Sequence, residues 1–428
     1  MRLFLYNLLL GLIAPPARWW LGRHPVHAPL MERFSPAIPQ VPAGALWVQV
    51  CSLGEANAAR SLLEALRIVF PDQAVVLTAS TVSGYARCQA LYGADNVAWF
   101  PFDQRATVHR FLARLEPAAL ILFETELWPN VLDQCHRANI PVLLANGRLS
   151  DKHHHRYQRY RWWYAALIQG LDFACMQDEV FRERLVALGV PGDRVTVTGS
   201  MKFDAVRTAI PPRERSRLRQ EWGFREEDSV LLFASTRPGD EDLASACWAT
   251  LREENPRLKL VIAPRHLDRV DQALAPFSEP VIRRTMLRAG EDVTNARVFV
   301  LDTLGELGNF FSLANVVVIG GSFYPGVNGH NPLEAAALGV PTVFGPYMSN
   351  FAQAERVLLA AGGAEQVACP EDLYLVLSTL LADPAKQRQM GTAARRAVLE
   401  NQGAVEKTVL CLKDLLRDRG PKESDPKD

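Results

Sequence analysis

Six short stretches of this chain carry polar side chains able to bind phosphate or move protons, each following an apolar run. The longest is residues 320–334, Gly-Gly-Ser-Phe-Tyr-Pro-Gly-Val-Asn-Gly-His-Asn-Pro-Leu-Glu, which follows Asn315-Val316-Val317-Val318-Ile319. Asn331 suits a helix N-cap, Pro332 the first helical position, and Glu334 stands three residues after the cap. A glycine-rich strand-to-helix turn lets backbone N–H groups approach a phosphate at the positive end of a helix. His330 is a second donor at its mouth, and Glu334 is an acceptor for ribose hydroxyls. Taken alone, the turn is equally a capped helix after a flexible loop.

Four other strand ends are polar where an open parallel sheet holds its ligands. They are Cys51-Ser52-Leu53-Gly54-Glu55, the stretch Phe123-Glu124-Thr125-Glu126-Leu127-Trp128-Pro129-Asn130, Ser235-Thr236-Arg237-Pro238-Gly239-Asp240-Glu241 and Ala263-Pro264-Arg265-His266. Glu55, at the start of a helix expected over 56–69, is a general base if burial raises its pKa, or simply a first-turn acid favoured by the macrodipole. Glu124 and Glu126, two apart on an extended segment, face one side. Arg265 follows a buried run and is there either a ligand for an anion or an ordinary surface residue.

Together with Gly199-Ser200-Met201-Lys202-Phe203-Asp204, these segments stand in the order found in one family. From its amino-terminal apolar segment to about residue 405, the chain resembles the 3-deoxy-manno-octulosonic acid (Kdo) transferases of lipopolysaccharide biosynthesis. The resemblance implies an inverting transfer of Kdo from CMP-Kdo to a lipid A precursor, lipid IVA, without cofactor or metal, at the cytoplasmic face of the inner membrane. It puts a general base at Glu55, the last residue of an A-S-x-G-E motif in which Cys51 replaces alanine, and a functional carboxylate at Glu124; Glu126 stays open. Donor contacts are implied at Lys202, Ser235, Thr236, Arg265, His266, Gly305 (within Asp302-Thr303-Leu304-Gly305-Glu306-Leu307), His330, Asn331 and Glu334. Three departures stand out: Arg237 for histidine in S-T-H-x-G-E-E, Ser200 for asparagine, and Asn328 for the first glycine of G-G-H-N. Two other readings remain, a nucleotide-sugar 2-epimerase of the same architecture and an inactive paralogue that binds lipopolysaccharide precursors.

The elements that must position these residues are legible as continuous apolar runs at 46–50, 74–77, 119–123, 141–145, 173–176 and 195–198, separated by amphipathic stretches. Continuous hydrophobicity means burial on both faces, hence parallel sheets flanked by helices. The pattern restarts after Pro211-Pro212 with runs at 230–234, 258–263, 298–301, 316–319 and 342–344. The expected fold is α/β, two Rossmann-like domains facing a central cleft (the glycosyltransferase B architecture) with an amino-terminal membrane anchor helix. The expected boundaries are an anchor at 1–21, an acceptor domain at 22–205, a CMP-Kdo domain at 206–416 and a disordered tail at 417–428.

At 428 residues two cores are expected. Equal numbers of acidic and basic residues, 47 each, argue against a nucleic-acid partner. Seven scattered cysteines without CxxC spacing read as reduced thiols and give no zinc site; Cys51 has a nucleophile reading because of its position. The run 3–14 is apolar except for Tyr6 and Asn7, and Pro15-Pro16 is expected to end its helix, too short to span a bilayer. Trp19, Trp20 and nearby arginines then favour an uncleaved anchor lying in the interface, against a signal peptide or a buried helix. In 151–164 the basic and aromatic residues Arg156, Arg159, Arg161 and Trp162 offer a surface for lipid or for lipid A phosphates, or simply the solvated face of an amphipathic helix. Consecutive His153, His154 and His155 cannot share one metal on a helix.

Overall fold

The computed structural model describes residues 2–288 and 292–418. The expected tail, beyond its first two residues, lies outside them. The chain divides into two compact units, residues 1–205 with 401–428, and residues 206–400.

The first unit is built on a seven-stranded, all-parallel sheet: β1 (Leu46–Val50), β2 (Val75–Ala79), β3 (Val97–Trp99), β4 (Ala119–Phe123), β5 (Val142–Gly147), β6 (Phe173–Met176) and β7 (Val195–Val197), in the order β3-β2-β1-β4-β5-β6-β7. Every residue of β1 is buried, and its side chains alternate between two cores. Trp47 joins Leu120, Leu122 and Leu144 on one face, whereas Leu46, Val48 and Val50 join Ile121, Phe123 and Leu143 on the other. The two-sided burial is what the unbroken apolar runs require.

The second unit repeats the plan with β8 (Ser229–Thr236), β9 (Leu258–Pro264), β10 (Val281–Arg283), β11 (Val298–Val300), β12 (Val316–Ile319), β13 (Thr342–Phe344) and β14 (Ala364–Gln366), ordered β10-β11-β9-β8-β12-β13-β14. In each sheet the winding reverses once, at β1/β4 in the first and at β8/β12 in the second. Ligands of open α/β sheets bind at such reversals, outside the carboxyl ends of the strands.

Two expectations need correction. Residues 401–416 do not belong with the second domain. The helix Ala404–Arg417 packs Val405, Val409 and Leu412 onto the first unit's core, and the Asp204 carboxylate accepts the Gly403 and Val405 N–H groups at 2.7 and 2.8 Å. Pro15-Pro16 does not end the first helix, which runs Arg2–Leu21 through both prolines. Tertiary anchoring outweighs the lost N–H donors: the Tyr6 hydroxyl donates to Asp103 Oδ2 at 2.7 Å, the Asn7 and Asn130 amides pair at 2.8 and 3.1 Å, and Ala14 is buried. The polar interruptions in the apolar run therefore face the protein, while Phe4, Leu8, Leu9, Leu12 and Ile13 face outward. Among the described residues, no helix is long and apolar enough to cross a membrane.

Candidate functional site

At the first reversal, β1 ends at Val50 and Ser52 caps the helix Leu53–Ala58 by accepting the Glu55 N–H. Glu55 folds back, its Oε2 accepting the Cys51 N–H at 2.7 Å and its Oε1 the Ser52 hydroxyl at 3.2 Å. This is the reciprocal cap that Ser-x-x-Glu spacing favours, with its donor one residue before the N-cap. Burial nevertheless pushes the Glu55 carboxyl up to about 7, against the Cys51 N–H and with reinforcement from the Glu124 and Glu126 charges. The first-turn acid and the potential base are thus one group, half-buried and able to exchange a proton near neutrality. Burial also pushes the Cys51 thiol up to about 11, so it stays protonated at neutral pH and lacks the thiolate a nucleophile needs.

Glu124 follows β4, the strand next to β1, and sits in the left-handed region at φ +57°. That conformation is costly for a residue with a Cβ and persists only where its surroundings dictate it. The turn breaks the extended geometry on which Glu124 and Glu126 were expected to share a face, yet both charges still act on Glu55. Glu126 accepts the Trp128 indole N–H at 3.1 Å, and burial raises its carboxyl.

Lys202, expected among the donor contacts and within the first domain at 22–205, lies in the first unit, on the loop after β7, which is fixed where the Met201 N–H donates to Asn146 Oδ1 at 3.0 Å. Burial lowers the Lys202 ammonium, the Glu124 and Glu55 charges work to keep it protonated, and Arg148 opposes them. Arg33, absent from the sequence reading, completes this group. Its Nε donates to Phe100 O at 3.0 Å and its Nη1 to Ser80 O at 3.3 Å, the guanidinium lies 5.6 Å from the Trp128 ring, and it attracts the Glu126 charge. A single arginine in an irregular proline-rich lead gives no periodic signal by which to find it.

At the second reversal, Ser235 occupies a bulge between β8 and β9 at φ +59°. Gly320, just after β12, is needed against it, since a Cβ there would come within 2.6 Å of Ser235 O. Thr236 is fully buried and structural: its hydroxyl donates to Glu241 Oε1 at 2.6 Å, and its carbonyl accepts the Arg265 N–H at 3.1 Å. Glu241 in turn holds Arg269 at 2.8 Å. Asp240 Oδ2 joins the two strand ends by accepting the Arg237 N–H at 2.8 Å and the Gly321 N–H at 2.7 Å.

Four cationic or imidazole side chains gather here. Arg237 donates from Nε to His330 Nε2 at 3.3 Å and from Nη1 to His266 Nε2 at 2.7 Å, and Arg265 is exposed beside them. Burial, with Arg237, Arg265 and His266, drives His330 down to about 4, so it is neutral at physiological pH. Asn331 Oδ1 accepts the Leu333 N–H at 3.1 Å, and its amide donates to Glu334 Oε1 at 3.0 Å. The helix begins one residue later than expected and is short, Leu333–Ala337, with Pro332 at the cap. Burial raises the Glu334 carboxyl. Gly305, at φ +86°, is on the loop after β11, where Glu306 pairs with Arg284 at 3.0 Å and Asp302 Oδ1 accepts the Thr285 N–H at 2.8 Å.

The basic stretch forms two helices, Asp151–Arg159 and Arg161–Ile168. Tyr157 is buried and stacks on Tyr164 at 4.0 Å, and Trp163 packs 5.7 Å from Tyr6 of the first helix. Arg156, Arg159, Arg161 and Trp162 are exposed. Among the described residues, no three His, Cys, Asp or Glu side chains converge as a metal site would require.

A family model described as 3-deoxy-D-manno-octulosonic-acid transferase matches residues 28–205. The 3-deoxy-D-manno-octulosonic acid transferase of Bordetella pertussis is 32% identical over 434 residues, covering 96% of this chain and 99% of that protein. The corresponding Haemophilus influenzae protein is 29% identical over 428 residues, covering 96% and 98%. Among solved structures, the UDP-GlcNAc 2-epimerase from Neisseria meningitidis bound to UDP-GlcNAc superposes with a TM-score of 0.59 at 12% identity, covering 87% of this chain and 100% of that one. A glycosyltransferase from Rickettsia africae gives 0.56 at 10% identity, covering 88% and 99%. Likeness at that identity shows the shared two-domain α/β fold and nothing of the chemistry.

Proposed function

This chain belongs to the 3-deoxy-D-manno-octulosonic acid (Kdo) transferase family, and from that premise we propose that it moves Kdo from CMP-Kdo to the lipid A precursor lipid IVA with inversion at the anomeric carbon. The observation that carries the reading is Glu55: a half-buried carboxylate at the β1/β4 reversal whose proton affinity is raised to about 7. Glu55 takes the proton of the attacking acceptor hydroxyl, the oxygen bonds to the anomeric carbon, and the bond to the CMP phosphate breaks with its electron pair leaving on CMP. Glu124 sustains the basicity of Glu55. Lys202 steadies the charge of the two carboxylates.

In the second unit, Arg265, His266, His330 and the Asn331–Glu334 turn form the donor site at the β8/β12 reversal. Ser235 and Thr236 shape it through the bulge and the Glu241 bond rather than by touching donor. Side-chain cations balance the leaving phosphate, so the reaction as proposed needs neither metal nor cofactor. The likeness to two-domain nucleotide-sugar enzymes supports a glycosyltransferase B architecture.

The first helix is the proposed anchor, lying in the cytoplasmic interface of the inner membrane. The outward Phe4, Leu8, Leu12 and Trp19 support this, as do the exposed Arg156, Arg159, Arg161 and Trp162 on helices that pack against it through Trp163. Incubating lipid IVA with the protein and CMP-Kdo tests the reaction. Mass spectrometry should show one or more Kdo additions to the lipid; intact lipid IVA beside consumed or untouched CMP-Kdo would refute it.

A further inference from the structure

We propose that Arg237 is the permanent positive charge of the donor site, a guanidinium braced on His266 and His330 that takes the donor's phosphate through its remaining N–H groups. The inference rests on the reading of the second unit as the nucleotide site.

A guanidinium has five N–H donors and no acceptor. The nitrogens facing Arg237, His330 Nε2 at 3.3 Å and His266 Nε2 at 2.7 Å, therefore stand as acceptors in these two contacts. Neither histidine can carry the charge that binds an anion while this brace stands. Arg269 is not available either, because it is spent on Glu241, which is 2% exposed, at 2.8 Å. The charge falls to Arg265 and Arg237. Arg265 is exposed and faces water, whereas Arg237 is half-buried and held at both ends: its backbone N–H donates to Asp240, which also binds the Gly321 N–H, and its side chain spans two rings. Two of its donors are engaged by the histidines, and those left present a fork suited to two phosphate oxygens.

A histidine at this position would be charged only at low pH, and less so beside Arg265 and Arg269. Arginine keeps its charge throughout the physiological range. The groups facing Arg237 are Asp240 on the following helix, Arg265, His266 and Arg269 after β9, and His330 after β12. Burial raises the Asp240 carboxyl to about 6, and its charge works to keep Arg237 protonated.

Calorimetric titration of the full chain with CMP, between pH 5.5 and 8.5, tests the inference with wild type, R237H and R237A. Comparing variants at each pH cancels the ionisation of CMP's own phosphate, near about 6. R237A should bind CMP roughly 10- to 100-fold more weakly at every pH. R237H should approach wild type at the acid end and fall roughly 10-fold or more behind it at the alkaline end. A constant ratio for R237H across the range, or an R237A affinity equal to wild type, would overturn the inference while leaving the donor site in place. Wild type that binds no CMP would overturn the donor-site reading and this inference with it. Unchanged circular dichroism and melting of both variants separate lost contact from lost fold.

Discussion

The backbone N–H of Cys51 donates to Glu55 Oε2 at 2.7 Å, so the carboxylate that caps the helix after β1 is the one whose proton affinity the site has raised. The bond favours the charged form, burial favours the neutral one, and the balance lands near neutrality with Glu124 and Glu126 adding to the neutral side. Turnover that needs ionised Glu55 should rise with pH through about 7 and level off. Neutralising a neighbour with E124Q should lower that midpoint. The apparent value belongs to the carboxylate group as a set. Rate against pH at saturating substrates is the measurement, and a midpoint unmoved by E124Q would mean that the two charges are not coupled. The stability sign is fixed by the same shift: a carboxyl raised in the folded state stabilises fully below its unfolded value, near about 4.3, and that contribution is lost as pH rises through about 7.

E55Q should lower turnover by about 100- to 10,000-fold, the usual worth of a general base. Glutamine still offers an oxygen to the Cys51 N–H, so the cap and the melting temperature should be kept. CMP affinity should be unchanged, since Glu55 lies in the first unit and the proposed nucleotide site in the second. Retention of more than about a tenth of wild-type turnover would remove Glu55 from the base role.

K202A and R265A should behave differently. Removing the Lys202 charge beside Glu55 raises the proton affinity of Glu55, so the pH midpoint of K202A should move up, opposite to E124Q. R265A should leave the midpoint alone and weaken CMP binding by about 1.5–3 kcal/mol, the worth of a charge-assisted hydrogen bond. Calorimetry with CMP and the two pH profiles distinguish them; a K202A that loses CMP affinity without a shifted profile would return Lys202 to the donor contacts.

D204A should loosen the last helix. Its carboxylate accepts the Gly403 and Val405 N–H groups, and no other acceptor is supplied by alanine. The loss should be about 2 kcal/mol, felt locally in the helix Ala404–Arg417. Amide exchange in that helix should accelerate roughly 10-fold or more, while exchange in β1 and β4 stays as it was. Equal exchange in variant and wild type would show that the apolar contacts of Val405, Val409 and Leu412 hold the helix alone.

Much of this was legible in the sequence, for physical reasons. Strands such as β1 and β12, buried on both faces, wrote themselves as unbroken apolar runs, and the polar residues after them fell at the two sheet reversals. The strands that escaped notice, β3, β10 and β14, are three-residue sheet edges with too little length to show a pattern. The motif of Lys202 lies just before the domain boundary, and only the Asn146–Met201 bond reveals where its loop is tied. The left-handed turn at Glu124 has no marker, since glutamate is not a residue that favours it. Arg33 and the helix Ala404–Arg417 reach the first unit through contacts far apart in sequence, which local composition does not encode.

The same distant contacts change the test of the membrane anchor. Deleting the first 21 residues would strip the Tyr6 hydroxyl from Asp103 and the Asn7 amide from Asn130, so lost binding would be confounded with damage to the fold. The outward face can be altered instead. Leu8, Leu12 and Ile13 are 52%, 67% and 55% exposed, and replacing all three with serine removes apolar surface without opening a core. Inserted in the interface, each should contribute about 1 kcal/mol, so the triple variant should bind anionic liposomes roughly 100-fold more weakly. A second variant with Arg156, Arg159 and Arg161 changed to alanine should lose binding at low salt only, because surface attraction is largely screened at about 0.5 M. Flotation of both proteins at low salt and at about 0.5 M salt separates the two contributions. If the serine variant floats like wild type at high salt, the first helix is not the anchor.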